Sequence, residues 1–508
     1  MKKPVKLGLW LLGFAVLAML GLWLEHERAK ARLAAFKVQL IVKGEKLAIA
    51  DHVPKLPAAL SNAAPDFIAA ANRITELKPE FQPQRMHLVA PGRARVTWQQ
   101  AELPTDKDPD LWPIVTTHVE DNRHLLAEMA AALERPNLVV DLDYAKGFNL
   151  LLPHLAKVKQ AAVNFGLAVV VDLHTGQTGS AFTNLLAASR VGQHFQEPLL
   201  ISQLVRIACG QIVQQTTWEA LQHVGWTDAQ LRELQAAWQS TDLHPGWIAS
   251  HNMERAIGGA IFPQSRADFD CFDQLGGPSG TSRPFFEELW DDPEEAGKRV
   301  VRNSKLAVWA MWFSYPDEQW TLEHHQVVLN AVRVAIRADA FEGAKRSLDA
   351  ELKRRGEPGN MMLLSGMLVP PLDRYVQKFA TFETTRRLTF TAIALHRHRL
   401  KHGKFPESLG ALVPAFLAEV PRDFMDGLPL RYRLQADGQF LLWSVGEDFK
   451  DGGGDPNPDS TTSSIGTYKY WLLRRDWVWP QAATEAEVAA YQDELAAKRA
   501  LSAPKPPP

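Results

Sequence analysis

Two histidines at helical spacing are the first residues of this sequence whose types and positions suggest chemistry. His398 and His402 stand at i and i+4 of a predicted helix, so both imidazoles face one side and can chelate a metal ion. No glutamate completes the His-Glu-x-x-His pattern of a zinc hydrolase. The alternative interpretation is that His398 and His402 are simply surface or helix-end residues. The same interpretation applies to His324 and His325, which point to different sides of a helix. The histidines therefore predict no catalytic metal.

The motifs that mark phosphate binding or nucleophilic catalysis are missing from the sequence. The glycine-rich segments 176–180 and 276–282 lack the Gly-Lys-Ser/Thr ending of a P-loop and read as turns. No Gly-x-Ser-x-Gly nucleophile elbow occurs. The acidic run 287–295 is typical of a solvated helix face. We therefore predict no catalytic residue.

Residues 7–24 form an uncharged apolar run, preceded by a short basic leader and followed by charged residues from Glu25. As a helix this run is about 27 Å long, close to the hydrocarbon thickness of a bilayer. Trp10 and Trp23 stand near its ends, where indole rings suit a membrane interface. We predict an uncleaved transmembrane anchor. A cleaved signal peptide is the alternative, although its apolar core is usually shorter.

The charges around this run and over the whole chain bear on location and partners. A basic leader before a first apolar segment usually stays cytoplasmic, so we place the chain in the inner membrane, single-pass, with its bulk in the periplasm. Lysine plus arginine number 56 and aspartate plus glutamate 58, for a net charge of −2. A nucleic-acid binder would carry a basic excess, so no nucleic-acid partner is predicted.

The two cysteines, Cys209 and Cys271, exclude a disulfide scaffold and any zinc site of four thiolates. A periplasmic location permits a bond between them. Cys209 stands in an apolar helical run, so a plain core residue is an equal alternative.

The pattern of helix signals and breakers predicts a mainly α fold with a small α+β domain near the C-terminus. The predicted parts are a cytoplasmic leader (1–6), a transmembrane helix (7–24), a mixed linker region (25–136), a helical body (137–370) with a loop-rich insert (245–284), a long helix with an α+β domain (371–480), and a tail helix with a proline-rich end (481–508). The body reads as an array of helices without a strict repeat.

One stretch, about 387–479, has a specific order of motifs. They are His402-Gly403, Phe405-Pro406, Ala411-Leu412-Val413, Pro421-Arg422-Asp423, Asp426-Gly427-Leu428-Pro429, Tyr432, Ser444-Val445-Gly446-Glu447-Asp448 and Asp476-Trp477-Val478-Trp479. This order resembles the globular domain of type II secretion major pseudopilins, relatives of type IV pilins. The resemblance implies an α+β domain and an association with secretion. The N-terminal run lacks the prepilin cleavage pattern, and residues 25–386 have no counterpart in a pilin.

In the pseudopilins, the loop rich in glycine and aspartate binds calcium, and the resemblance implies the same site here. Its carboxylate ligands would be Asp448, Asp451, Asp455, Asp459 and Asp476. Calcium takes six to eight oxygens, and glycine lets backbone carbonyls turn inward. A solvated acidic loop whose glycines serve turns is the alternative. Calcium is the only cofactor predicted.

Taken together, these features predict a membrane-anchored envelope protein with a binding or scaffold role. Its partners would be the bilayer, through residues 7–24, and a protein of the cell envelope. The segment 152–157 also resembles membrane-anchored bacterial proteins, a resemblance that implies no activity. The alternative is an extracytoplasmic enzyme, its pocket formed by the loop-rich insert 245–284 against the helices.

Overall fold

The protein is mainly helical, with a small amount of sheet, as the sequence predicts. The computed structural model describes residues 3–103, 110–269, 293–369, 372–457, 471–472 and 475–502. The helices of this part are α1 (Lys3–Val42), α2 (Ala64–Arg73), α3 (Trp112–Ala132), α4 (His154–His174), α5 (Thr178–His194), α6 (Leu200–Leu221), α7 (Asp228–Ser240), α8 (His244–Ala267), α9 (Pro293–Val308), α10 (Ser314–Ala338), α11 (Glu342–Arg355), α12 (Leu363–Leu368), α13 (Leu372–His402) and α14 (Glu485–Ser502). A π-helical turn, Trp309–Phe313, joins α9 to α10.

Helix α4 lies at the centre of the body, because its sequence is apolar on every side. All residues from Ala161 to Leu173 are buried, and α4 packs against α2, α3, α5 and α6. A helix that is apolar all round must be surrounded by other elements. Its one buried acid, Asp172, lies 2.9 Å from Arg123 Nη2 and accepts a hydrogen bond from Asn184 Nδ2 at 2.8 Å. Asp172 therefore has a structural role.

Two three-stranded sheets occur in the described residues. The strands are β1 (His87–Ala90), β2 (Arg93–Arg95), β3 (Arg431–Leu434), β4 (Phe440–Ser444), β5 (Trp477–Val478) and β6 (Gln481–Ala482). Strands β3, β4 and β5 are antiparallel, with Leu434 opposite Phe440 across the hairpin. Gly438, at a φ of +79°, closes this hairpin. In the other sheet, β6 pairs in parallel with β2, which is antiparallel to β1.

The predicted domain boundaries at 136 and 370 do not separate independent cores. One continuous cluster of buried apolar residues includes Phe67 and Val115, the interior of α4, and Trp477 near the C-terminus. The region predicted as a linker, 25–136, therefore belongs to the core. Its many prolines indicated an extended connection, yet its apolar residues in α2 and α3 are buried in this cluster.

The loop-rich insert predicted from residue 245 is wrong as far as residue 267, where the chain forms α8. Residues 270–284 of the predicted insert lie outside the described residues. Gly258 and Gly259 lie within α8, on the side that faces α10. A Cβ at Gly259 would lie 3.5 Å from Leu322 Cδ2, and one at Gly258 would lie 3.6 Å from His325 Nε2. Both are ordinary van der Waals distances, so α8 packs on α10 here without requiring glycine.

Helix α1 runs without a break from Lys3 to Val42 and ends before Gly44, whose φ is +85°. The helix therefore continues well beyond the apolar run 7–24. Its second half packs against α10 through Ala29, Leu33 and Leu40. Over the described residues, we find no helix with a stretch both long enough and apolar enough to cross a membrane. The transmembrane helix stays a prediction.

Gly210 tests how closely α6 and α13 are packed. A Cβ at Gly210 would clash with Cζ and Cε2 of the buried Phe382 ring. We expect Gly210→Ala to lower the free energy of unfolding by about 1–3 kcal/mol, as overpacking does. Gly192→Ala is the matched control, because a Cβ there would meet no atom within 4 Å, and alanine favours a helix by up to about 1 kcal/mol. Equal midpoints of urea unfolding for the two variants would contradict the close packing.

Candidate functional site

A cleft of about 430 Å³ lies where the C-terminal strands meet the helical body. Its walls come from β2, the C-terminal ends of α6 and α13, β4, and the segment from Trp479 to Thr484. This volume is within the range of small-molecule and peptide sites. The cleft is the candidate functional site.

Aromatic side chains form the apolar wall of the cleft. Phe405 and Phe440 are buried and meet edge to face, with ring centroids 4.8 Å apart. His396 contacts both rings, and burial lowers its pKa to about 3, so it is neutral at physiological pH. Trp479, also buried, completes the wall. A ligand in this cleft would therefore meet rigid aromatic surfaces.

Arg399 is the main charged group of the cleft. Its guanidinium lies over the Phe405 ring at 4.9 Å from the centroid, and its Nη2 is 3.5 Å from His396 Nδ1. Burial lowers the pKa of Arg399. Within the described residues no ion pair joins it to an acid, so this half-buried cation faces the cleft, which Asp437 also lines.

Further polar groups line the same cleft. Arg93 on β2 lies 3.5 Å from Glu487, so that residue partly neutralises it. The carboxylate of Asp437 accepts the backbone N–H of Gln439 at 2.9 Å. Thr484 serves as the cap of α14, since its hydroxyl hydrogen-bonds Glu487 at 3.0 Å. Two arginines in a cleft with an aromatic wall suit an anion such as a carboxylate.

Neither Arg93 nor Arg399 was predicted from the sequence as a site residue. A basic residue in the last turn of a helix is expected to complement the helix dipole, and Arg399 is in that position on α13. Only the tertiary contact between α13 and the strand segment converts this residue into part of a cleft.

The predicted calcium ligands lie close together in sequence, but they point to different partners. Asp476 accepts the backbone N–H groups of Gly452, Gly454 and Asp455 at 3.1, 2.7 and 3.0 Å. The carboxylate of Asp451 accepts Trp443 Nε1 at 2.9 Å and lies 3.6 Å from the Arg431 guanidinium. Asp476 is thus used to shape the loop.

The remaining predicted ligands are similarly engaged or lie elsewhere. Asp448 accepts the backbone N–H of Lys450 at 3.0 Å, and Asp455 that of Asn457 at 3.0 Å. Asp459 lies outside the described residues. In the part of the chain that is described, no three His, Cys, Asp or Glu side chains are grouped to hold a metal ion. The described carboxylates do not fit a calcium site, and with Asp459 undescribed the site stays a prediction.

Calcium binding by the loop that Asp476 holds can be tested directly. Because three backbone N–H groups already occupy Asp476, we expect millimolar calcium and EDTA to leave the melting temperature unchanged. We expect Asp476→Asn to lower stability by about 1–3 kcal/mol with or without calcium, since it weakens charge-assisted hydrogen bonds. Differential scanning fluorimetry measures both. A calcium-dependent rise that Asp476→Asn abolishes would establish the metal site instead.

The histidines predicted to lie at the surface or at a helix end differ in their burial. His402 is exposed and His398 is partly buried, with ring centroids 4.4 Å apart, and His398 Nδ1 is 2.9 Å from the Lys404 carbonyl oxygen. For His325 the prediction was wrong, because it is buried between α10 and α8. Burial, with His251 nearby, lowers the pKa of His325 to about 3. Helical spacing alone did not show which side of α10 faces the core.

Cys209 is a buried core residue, 3.8 Å from the Val158 carbonyl oxygen. Burial raises the pKa of the Cys209 thiol to about 12, so it is protonated and unreactive. Cys271 lies outside the described residues, and the pairing of the two cysteines stays an open prediction.

Comparison with known proteins gives no relative. No protein-family model, no curated protein and no solved structure matches this chain.

Proposed function

We propose that the protein is a single-pass membrane-anchored scaffold that binds an envelope partner, with α1 as the anchor and the body in the periplasm. The observation that carries the proposal is the exposure of apolar side chains on α1. Phe14, Leu17, Met19 and Trp23 are 74, 68, 60 and 57% exposed. At about 100° per residue they lie around the whole helix, and a bilayer is the solvent that suits such a surface.

Two ion-pair clusters support the scaffold role, because they fix α1 to the body. Lys37 of α1 pairs with the buried Glu318, which also lies 2.8 Å from Arg266 of α8. Beyond the end of α1, Glu45 pairs with Arg255 and Arg333. These contacts hold the body at one orientation relative to its anchor.

The C-terminal part supplies the binding surface in this proposal. The helix α13 followed by the antiparallel strands β3 to β5 suits the pseudopilin-like domain. The Tyr432 hydroxyl donates to the Pro406 carbonyl at 2.6 Å, which joins the aromatic-proline corner to β3. A secretion-associated protein that presents a carboxylate to Arg399 is the partner we propose. In an enzyme, this cleft would need a nucleophile beside a base, and the Thr484 hydroxyl is committed to Glu487.

The anchor is tested on the full chain in its native membranes. We expect the protein to stay in the membrane pellet after extraction at alkaline pH and to dissolve only in detergent. Fusion of alkaline phosphatase to the C-terminus is expected to be active if the body is periplasmic. Release by alkali would contradict the anchor, and an inactive fusion would contradict the orientation.

The binding cleft is tested by charge reversal. We expect Arg93→Glu with Arg399→Glu to reduce recovery of a crosslinked membrane partner at least tenfold, because losing a desolvated charge contact costs about 2–5 kcal/mol. Arg232→Glu, on the exposed side of α7, is the matched control. Co-purification and mass spectrometry measure recovery, and thermal unfolding checks that the variants fold. Equal recovery from both variants would contradict binding in the cleft.

A further inference from the structure

Helix α9 and the π-helical turn after it lie beside the end of the apolar run of α1. His26 Nδ1 hydrogen-bonds the Met311 backbone oxygen, and the His26 ring meets the Tyr315 ring edge to face at 5.1 Å. His26 is two residues beyond Leu24, which is about 3 Å along the helix axis. If α1 spans a bilayer, Met311 lies at the level where hydrocarbon gives way to headgroups.

The outer face of α9 is apolar and uncovered in the described residues. Val300, Val301 and Val308 are 50, 71 and 36% exposed, and Met311 in the following turn is 53% exposed. At about 100° per residue, the three valines fall within a sector of about 100°. An exposed apolar stripe of this kind on a soluble surface requires an explanation.

The C-terminal end of α9 and the turn after it are seated on the body. Leu306 and Trp309 are buried with Phe262 and Leu364 in a small apolar cluster of their own. Trp309 Nε1 donates to the buried Asp317 at 2.8 Å. Residues 300–305 of α9 are exposed, so the helix is attached to the body at its C-terminal end.

Basic residues border the apolar stripe. Lys305 and Arg302 follow the valines around the helix and are exposed, and Lys298, also exposed, pairs with Glu294 at 3.0 Å. An apolar stripe flanked by lysine and arginine is the pattern of a helix that lies in a membrane interface. The positive flank attracts anionic headgroups.

We propose that the Val300–Val301–Val308 face of α9, with Met311, rests in the headgroup region of the same bilayer that holds α1, with a preference for anionic phospholipid. This inference rests on the membrane anchor of the proposed function. Together with α1, it gives the body a second membrane contact, and two contacts restrict tilting of the body against the bilayer.

Site-specific fluorescence on the full chain in phospholipid vesicles tests this. An environment-sensitive NBD label is placed at Val301→Cys, in a background with Cys209→Ala and Cys271→Ala. The vesicles contain phosphatidylethanolamine with or without phosphatidylglycerol, and brominated lipids serve as quenchers. Labels at Leu17→Cys and Val224→Cys report on the anchor and on an equally exposed valine, 82% accessible, away from α9.

We expect a blue shift and bromolipid quenching at position 301, stronger with phosphatidylglycerol, and neither at 224. Replacing Lys298, Arg302 and Lys305 by glutamine is expected to remove the dependence on phosphatidylglycerol. Quenching at 17 but not at 301 would overturn the inference and leave the anchor intact. The absence of both the blue shift and bromolipid quenching at position 17 would overturn the membrane anchor itself. A blue shift at 301 without quenching means that residues 270–292 or a second copy cover the face, which also overturns the inference.

Discussion

Replacing Glu383 by glutamine is expected to lower the free energy of unfolding by about 3–5 kcal/mol. Glu383 is fully buried, and both of its oxygens accept hydrogen bonds, from Arg386 Nε and Nη2 and from Arg387 Nε, each at 2.8 Å. Burial alone would raise the pKa of Glu383, but the two guanidinium groups outweigh it and lower the pKa to about 2. Glutamine would leave two buried cations without their shared acid.

The loss of stability would extend beyond α13, because Arg386 and Arg387 connect this helix to three other parts of the protein. Arg386 donates to the Trp238 carbonyl oxygen on α7 at 2.8 Å. Arg387 donates to Asp339 after α10 and to the Arg422 carbonyl oxygen of the C-terminal part. Glu383 sets the rotamers of both arginines, so its removal loosens the contacts of α13 with α7, α10 and the strands.

Glu351→Gln on α11 is the matched control for Glu383→Gln. Glu351 also pairs with an arginine at i+3, Arg354, but that arginine side chain is 70% exposed. Exposed pairs of this type contribute less than about 1 kcal/mol. Urea unfolding of the detergent-solubilised chain measures both variants. Similar losses for the two would mean that burial does not strengthen the Glu383 cluster.

Much of the local structure was predictable, because it depends on residues close together in sequence. The end of α13 at Gly403, with a φ of +76°, needs only a residue free to adopt that angle. The capping box at the start of α14 needs only Thr484 and Glu487, and the Glu487 N–H donates to Thr484 Oγ1 at 3.3 Å. In both places, the structure is decided within three or four residues.

The misassigned parts are those decided by residues distant in sequence. Gly258 and Gly259 have the same local signal in a loop as in a helix that packs against Leu322. Arg399 becomes part of a cleft only because Trp479 and Gln481 lie across from it. No local pattern contains either contact, so the insert was misassigned and the candidate cleft was missed.

Replacing Glu45 is expected to have the second large effect on the free energy of unfolding, and this effect depends on pH. Glu45 is 8% exposed, and its carboxylate accepts Arg255 Nη2 at 2.9 Å, Gln326 Nε2 at 3.1 Å and Arg333 Nη2 at 3.1 Å. Burial acts to raise its pKa, but the two arginines lower it from 4.5 to about 2. A pKa difference of this size corresponds to about 3 kcal/mol of stability at neutral pH.

The sign of the pH dependence follows from the direction of the shift. Because the folded pKa is below the unfolded one, the contribution of Glu45 is complete above about pH 5 and is lost as the pH falls toward 2. We therefore expect the difference in unfolding free energy between the native chain and Glu45→Gln to be constant from pH 6 to 8 and to shrink below about pH 5. Urea unfolding in detergent at a series of pH values measures this difference.

A control variant separates the contribution of the Glu45 ion pairs from the general effect of acid on the stability of the protein. Glu342→Gln removes a surface partner of Arg346, whose side chain is 71% exposed, so its difference from the native chain should stay below about 1 kcal/mol at every pH. If Glu45→Gln showed the same small, pH-independent difference, Glu45 would not hold α1 to the body. The fixed orientation that supports the scaffold role would then lose one of its two ion-pair clusters, and Lys37 with Glu318 would have to supply it alone.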